Sequence, residues 1–184
     1  MLETGKEKKV EYLELIYDLI FVYIIGRNNS LLHHLENGFV SSEVFLAYLL
    51  CTLAVIQIWN YSTFYINIYG RNGLRDHVFL CLNMFGLYFM ADGTNVHWQA
   101  SFYQYNVAWA LILVNLGLQH LIEMRNHKDL AEECRQLRFK AGMILAEAVL
   151  VAVHILVYAA SGVSVAYVPL LFGDTLTIKS PADQ

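Results

Sequence analysis

Along this chain the apolar residues come in long blocks. They show neither the strict alternation of half-buried strands nor the narrow stripe of a helix lying on a soluble core. Five blocks have about the 20 residues that a helix needs to cross a bilayer core: residues 10–32, 44–69, 74–94, 101–123 and 137–160. A shorter block, 163–178, contains Pro169. As a helix it would reach only about 24 Å at 1.5 Å per residue, so it reads as a thin sixth span or a re-entrant piece. The pattern predicts an all-α, polytopic transmembrane helix bundle that forms a single domain over residues 1–184.

Composition agrees with the pattern. Hydrophobic residues make up 57% of the chain and charged residues 15%, against roughly 45–50% and about 25% in soluble domains. Mean hydropathy is +0.43. A soluble globule of 184 residues could not hide so much apolar surface, which argues against a soluble enzyme, a nucleic-acid binder or a disordered tail. The bilayer is the first expected partner. Cys51, Cys81 and Cys134 are odd in number with no close pair, so they read as free thiols. Glu11, Glu14, Asp18 and Arg27 interrupt the first apolar block, unlike the core of a signal peptide, so it is expected to be retained.

Charge sets the orientation. Lys6, Lys8, Lys9, Arg71, Arg75, Arg125, Lys128, Arg135, Arg138, Lys140 and, with a sixth span, Lys179 all fall on one side; that is eleven of the twelve basic residues, Arg27 being the other. By the positive-inside rule the N-terminus is cytoplasmic and the chain is a multi-pass protein of the cell membrane. Aromatic residues cluster at both expected boundaries, and residues 125–138 are expected to continue as a short cytoplasmic helix.

Ionisable groups at membrane depth usually have partners or functions. Glu11, Glu14 and Asp18, at i, i+3 and i+7, share one face of the first helix. Arg27 and Asp92 fall at similar depths near the opposite boundary and are expected to form a structural ion pair. Lys140, Glu147 and His154 recur every seven residues as one stripe, with Glu147 about 15 Å along its span and near the midplane. The second span adds Gln57, Asn60, Tyr61, Thr63 and Asn67, and the fourth adds Asn106, Asn115, Gln119 and His120. Asp76 and His77 read as helix-end charges. His33 and His34 are adjacent and point to different sides, so neither a metal site nor a cofactor is expected.

The segment VEYLELIYDLIFVYIIG, residues 10–26, resembles the opening signature of the bacterial low temperature requirement A (LtrA) membrane proteins. Glu14 and Asp18 fill its acidic places, and Phe21-Val22 follow. Residues 59–92 resemble the family's second and third spans, with Trp59, Tyr61, Thr63, Phe64, Asn67, Tyr69 and Arg75 at matching places. The turn Gly70-Arg71-Asn72-Gly73 departs from the family, which is usually more acidic there, so no role of those acids carries over. The resemblance is clear over residues 10–91 and weak beyond. It implies the N-terminal half of a membrane protein usually about twice as long; a natural short form and a fragment both fit.

Two functions stay open. One is a transporter or channel for a small solute, proton or ion, its pathway formed by Glu14, Asp18, Gln57, Asn60, Tyr61, Glu147 and His154. The other is a non-enzymatic structural or regulatory module that assembles with itself or a partner, its polar residues acting as interhelical glue. No nucleophile–base or metal-ligand spacing supports an enzyme. A half-length chain with polar faces on every span is expected to form a homodimer.

Overall fold

The computed structural model describes residues 12–33, 35–36, 38–70, 73–94, 98–126 and 131–162. Five helices carry the fold: α1 (Tyr12–Asn29), α2 (Ser42–Tyr69), α3 (Leu74–Asp92), α4 (Trp98–Asn126) and α5 (Ala131–Ser161). They follow the five apolar blocks of the sequence. The segment 163–178 lies outside the described residues.

The boundaries have local causes. After α1 the chain tightens into a 3-10 turn, Ser30–His33, and the Ser30 hydroxyl caps the Arg27 carbonyl at 2.6 Å. A two-stranded antiparallel hairpin follows, Leu35–Glu36 (β1) with Phe39–Val40 (β2), turned at Gly38 with φ of +84°, a conformation that favours glycine. Ser41 caps α2 by accepting a hydrogen bond from the Val44 amide. Gly70 caps the end of α2, Gly73 the start of α3 and Gly93 its end. Of the helical stretch expected over 125–138, α4 covers the part up to Asn126 and α5 the part from Ala131, and residues 127–130 lie outside the described residues.

Short connections make consecutive helices run in opposite directions. One end of the bundle therefore collects the starts of α1, α3 and α5 and the finishes of α2 and α4; it is called here the Arg75 end, and the opposite one the Asn28 end. α4 is central, packing against α5, α3 and α2, while α1 packs against α3 and α2. Trp109, Ile112, Leu113 and Leu116 of α4 meet Phe21 and Ile24 of α1, Val55 and Ile58 of α2, Leu87 and Met90 of α3, and Ile144 and Val151 of α5 in one core. Glycine permits the closest approaches: a Cβ on Gly86 would stand 2.6 Å from the Ile112 side chain, and one on Gly117 as close to Leu145.

Three helices, Ser42–Tyr69, Ser101–Asn126 and Glu132–Ser161, are long and apolar enough to cross a membrane. The two more apolar of them, in α5 and α2, are equally little buried, and the least apolar, in α4, is the most buried. This is the reverse of a soluble domain and fits a bundle that turns its apolar surface to lipid. Leu19, Val22, Leu111, Leu118, Val149 and Leu156 belong to that outer surface. α1 and α3 are shorter, and each holds three charged residues: Glu14, Asp18 and Arg27 in the first, Arg75, Asp76 and Asp92 in the second.

Candidate functional site

The stripe on α5 faces inward. Leu137, Ala141, Ile144, Ala148 and Val151 fill the core at helical spacing, and Glu147 and His154 lie in the same face, 0% and 1% exposed. Each stripe residue meets a different neighbour. The Tyr61 hydroxyl of α2 donates to Glu147 Oε2 at 2.9 Å. Gln57, one turn away on α2, donates through Nε2 to the Tyr61 oxygen at 3.3 Å. The result is a directional chain, Gln57 to Tyr61 to Glu147, that ends on the buried carboxyl. Lys140 Nζ sits 2.8 Å above the centre of the Phe64 ring, a cation–π contact. His154 stands edge-on to Phe102 of α4 with ring centres 5.0 Å apart, and Phe102 stacks on Tyr158 at 3.7 Å.

One residue on from Tyr61, a second network joins the first four helices. Tyr17 of α1 and Ser62 of α2 share a hydrogen bond of 2.7 Å, and the Ser62 hydroxyl also donates to the Ile58 carbonyl. Asn83 of α3 lies close enough to interact with the same tyrosine hydroxyl. Asn115 of α4 donates to Asn83 Oδ1 at 2.8 Å and to the Phe79 carbonyl at 3.0 Å. Because Tyr61 and Ser62 are sequence neighbours, α2 carries both networks side by side.

Several expected pathway residues lie elsewhere. Asp18 is exposed on the flank of α1 and accepts from Trp59 Nε1 at 3.1 Å. The buried face of α1 runs through Tyr17, Phe21, Ile24 and Asn28. At 100° per residue its centre is about 90° around the helix from Asp18, so Asp18 and Glu147 are not brought together. Asn60 is also exposed. The inward face of α2 centres on Ile58, about 160° from Asn60 at the same helical pitch.

The ion pair expected between Arg27 and Asp92 does not form. Asp92 accepts from Gln104 at 3.0 Å. The next residue, Asn28, turns inward instead of Arg27, donating to Thr52 at 3.4 Å and accepting from Thr94 at 3.2 Å. A neutral amide thus links α1, α2 and the end of α3.

An ionic cluster joins residues that no sequence pattern puts together. At the Arg75 end the Arg75 guanidinium bridges the Asp76 carboxylate, at 3.2 Å, and Glu123 of α4. Glu123 is fully buried and also accepts from Asn126 at 2.8 Å. Glu14, half-buried, lies in the same region and lines a small cavity with Tyr65, Asp76, His77 and Gln119. In the sequence Asp76 reads as a helix-end charge, Arg75 as one of the one-sided basic residues and Glu123 as a span boundary. Their pairing crosses 48 residues, which no local pattern encodes. Among the described residues no group of three or more His, Cys, Asp or Glu side chains is arranged to hold a metal ion.

Neither a curated protein nor a solved structure matches this chain. A family match does exist, and it runs well past the first three helices that carry the resemblance in the sequence. Residues 9–177, and so all five helices, match the family described as bacterial low temperature requirement A protein (LtrA), and the chain belongs to that family.

Proposed function

We propose that the chain crosses the cell membrane five times with its N-terminus in the cytoplasm, and that it moves a proton, an ion or a small solute, with Glu147 as the exchanging group. The observation that carries this reading is the chain from Gln57 through Tyr61 to the fully buried Glu147 carboxyl. A hydroxyl that accepts from one side and donates on the other can reverse its direction when a proton arrives, and a carboxyl can take up and release that proton. A purely adhesive contact between α2 and α5 needs no ionisable partner, since an amide would bond as well. The reading involves no covalent change in what is carried.

The test is flux in proteoliposomes loaded with a pH-sensitive dye, comparing the parent with Glu147→Gln. The amide keeps the hydrogen bond from Tyr61 and cannot titrate. Flux should fall at least about tenfold, equivalent to about 1.4 kcal/mol in the barrier. Full flux in the folded Gln variant, or none in the parent, rejects the reading. For the orientation, Arg125→Cys should resist an impermeant thiol reagent applied outside intact cells; efficient labelling would invert the topology.

A second reading is favoured by Asp18 and Trp59. Their hydrogen bond lies on the exposed flank of α1 and α2, among Leu15, Leu19 and Val22, which are exposed too. A carboxylate on the outer surface at membrane depth is costly in lipid, and a neighbouring subunit would cover it. On this reading the chain is a module that assembles with itself. Asp18→Leu should then lower the mass measured by light scattering in detergent from dimer to monomer, and a monomeric parent rejects it.

A further inference from the structure

Lys140 sits toward the Arg75 end of α5, half-buried, with its ammonium on the Phe64 ring of α2. Among the described residues no carboxylate pairs with it. His120 of α4 faces it, but that ring is buried and bonded to the Leu116 carbonyl. Glu133 lies seven residues earlier on the same side of α5, about 10.5 Å along the axis, and approaches Tyr69. That is beyond the Debye length of about 8 Å at physiological salt, too far to neutralise Lys140. The ring covers one side of the ammonium, and the remaining N–H groups need an acceptor. A cation at membrane depth without one is costly.

The face of α2 beside it has the profile of a phospholipid. Leu49, Leu53, Ile56, Asn60, Phe64 and Asn67 fall within about 80° of arc at 100° per residue, and all are exposed. α2 has 28 residues, about 42 Å at 1.5 Å per residue, which matches a bilayer of about 40–45 Å with its headgroup layers. Asn67 stands about 3 Å and Phe64 about 7.5 Å from the Tyr69 end, in or at the edge of the headgroup layer. Asn60 is about 6 Å deeper than Phe64, and the three aliphatic residues run on along the hydrocarbon. Neither Asn60 nor Asn67 makes a hydrogen bond among the described residues.

We propose that the face formed by α2 and Lys140 is a binding site for an anionic phospholipid. Lys140 pairs with the lipid phosphate, Asn67 donates to the same group, Asn60 donates to an ester carbonyl further in, and an acyl chain lies along Ile56, Leu53 and Leu49. Charge selects the headgroup. A zwitterionic lipid brings its own cation up to Lys140, whereas an anionic one does not. A free phosphate ion would leave Asn60 and the aliphatic stretch without a partner. The lipid would seal α2 to α5 on the outside, where the two helices meet through the Lys140–Phe64 contact, and inside it the Tyr61–Glu147 bond stays dry. The site requires the bundle to lie in a membrane and nothing of the transport reading.

The test is electron paramagnetic resonance of the full chain in phosphatidylcholine vesicles, with spin-labelled phosphatidylglycerol or phosphatidylcholine as the probe and circular dichroism to check folding. The parent should hold labelled phosphatidylglycerol about fivefold more strongly than labelled phosphatidylcholine, the effect of one lysine at an anionic surface. Lys140→Gln should abolish that preference, and Arg138→Gln, an equal loss of charge at an exposed position on α5, should leave most of it. Asn67→Leu should weaken it with no change of charge, and it carries the test should Lys140→Gln fail to fold. No preference in the parent, or equal losses in Lys140→Gln and Arg138→Gln, overturns the proposal, the second outcome leaving only a diffuse basic surface. Displacement of the label by inorganic phosphate would make this a free-anion site and also overturns it. So would a Lys140→Gln variant that keeps the lipid preference and falls from dimer to monomer mass in light scattering, since the face would then be a contact between copies. A parent with the preference and no flux defeats the transport reading alone; flux without the preference defeats only the lipid site.

Discussion

The two ends of the bundle solve one problem with different chemistry. Both must tie α1, α3 and their neighbours together where the helices finish. At the Asn28 end the ties are neutral: Asn28 joins Thr52 and Thr94, and Gln104 reaches Asp92 and the Phe89 carbonyl. At the Arg75 end they are ionic, a guanidinium between two carboxylates with a third acid beside a cavity. Neutral bonds hold whatever the pH. Charged ones hold more strongly when complete and fail more severely when one member is lost, because the survivor is stranded without a counter-charge. The contrast suggests that the Asn28 end is built for permanence and the Arg75 end for response.

The sharpest way to break this contrast is Arg75→Ala. It leaves the fully buried Glu123 without its cation, and a cost of about 3–5 kcal/mol is expected, read as a lower unfolding midpoint in detergent. The double variant Arg75→Met with Glu123→Met should recover most of that loss; no recovery would mean that Arg75 acts through something other than Glu123. Next comes Tyr61→Phe, which takes the donor from the buried Glu147. About 1–3 kcal/mol should be lost, and Glu147→Gln should lose less, since Tyr61 can still donate to the amide.

At the neutral end Asn28→Leu should cost about 0.6–1.7 kcal/mol, the range measured for interhelical hydrogen bonds in membranes. Its cost should stay well below that of Arg75→Ala; equal costs would erase the difference between the ends. The smallest effect belongs to the exposed pair of Arg135 and Glu132, 2.8 Å apart. Glu132→Gln should leave the unfolding midpoint within error, because exposed ion pairs contribute little.

The helices are legible in the sequence because a long apolar block needs no distant partner to be recognised, though only three of the five are long and apolar enough to cross a membrane. The seven-residue stripe of Glu147 and His154 is legible for the same reason, since periodicity alone places both on one face. Asp18 and Asn60 are not, because polar type says nothing about direction. Asp18 shares a face with Glu14, yet the core lies on the side of Tyr17, and only packing decides that. Arg27 shows the same thing at one-residue resolution: charge and depth suggest a pair with Asp92, but the helix presents Asn28 inward. The Arg75–Glu123 bridge was hidden by sequence distance, and its trace was there in an acid, Glu123, at the end of an otherwise apolar block.

The central position of α4 has a consequence for how the chain is made. Helices leave the ribosome in chain order, so α1, α2 and α3 are made before the helix they surround. Until α4 enters, Arg75 lacks Glu123, Asn83 lacks Asn115, and the Cys51 carbonyl lacks the Tyr105 hydroxyl that bonds it at 3.1 Å. α4 is also the least apolar of the three helices that are long and apolar enough to cross a membrane. Its polar partners on the earlier helices are therefore completed only when it joins them, and the assembly of this bundle turns on a helix that is fourth in line and first in importance.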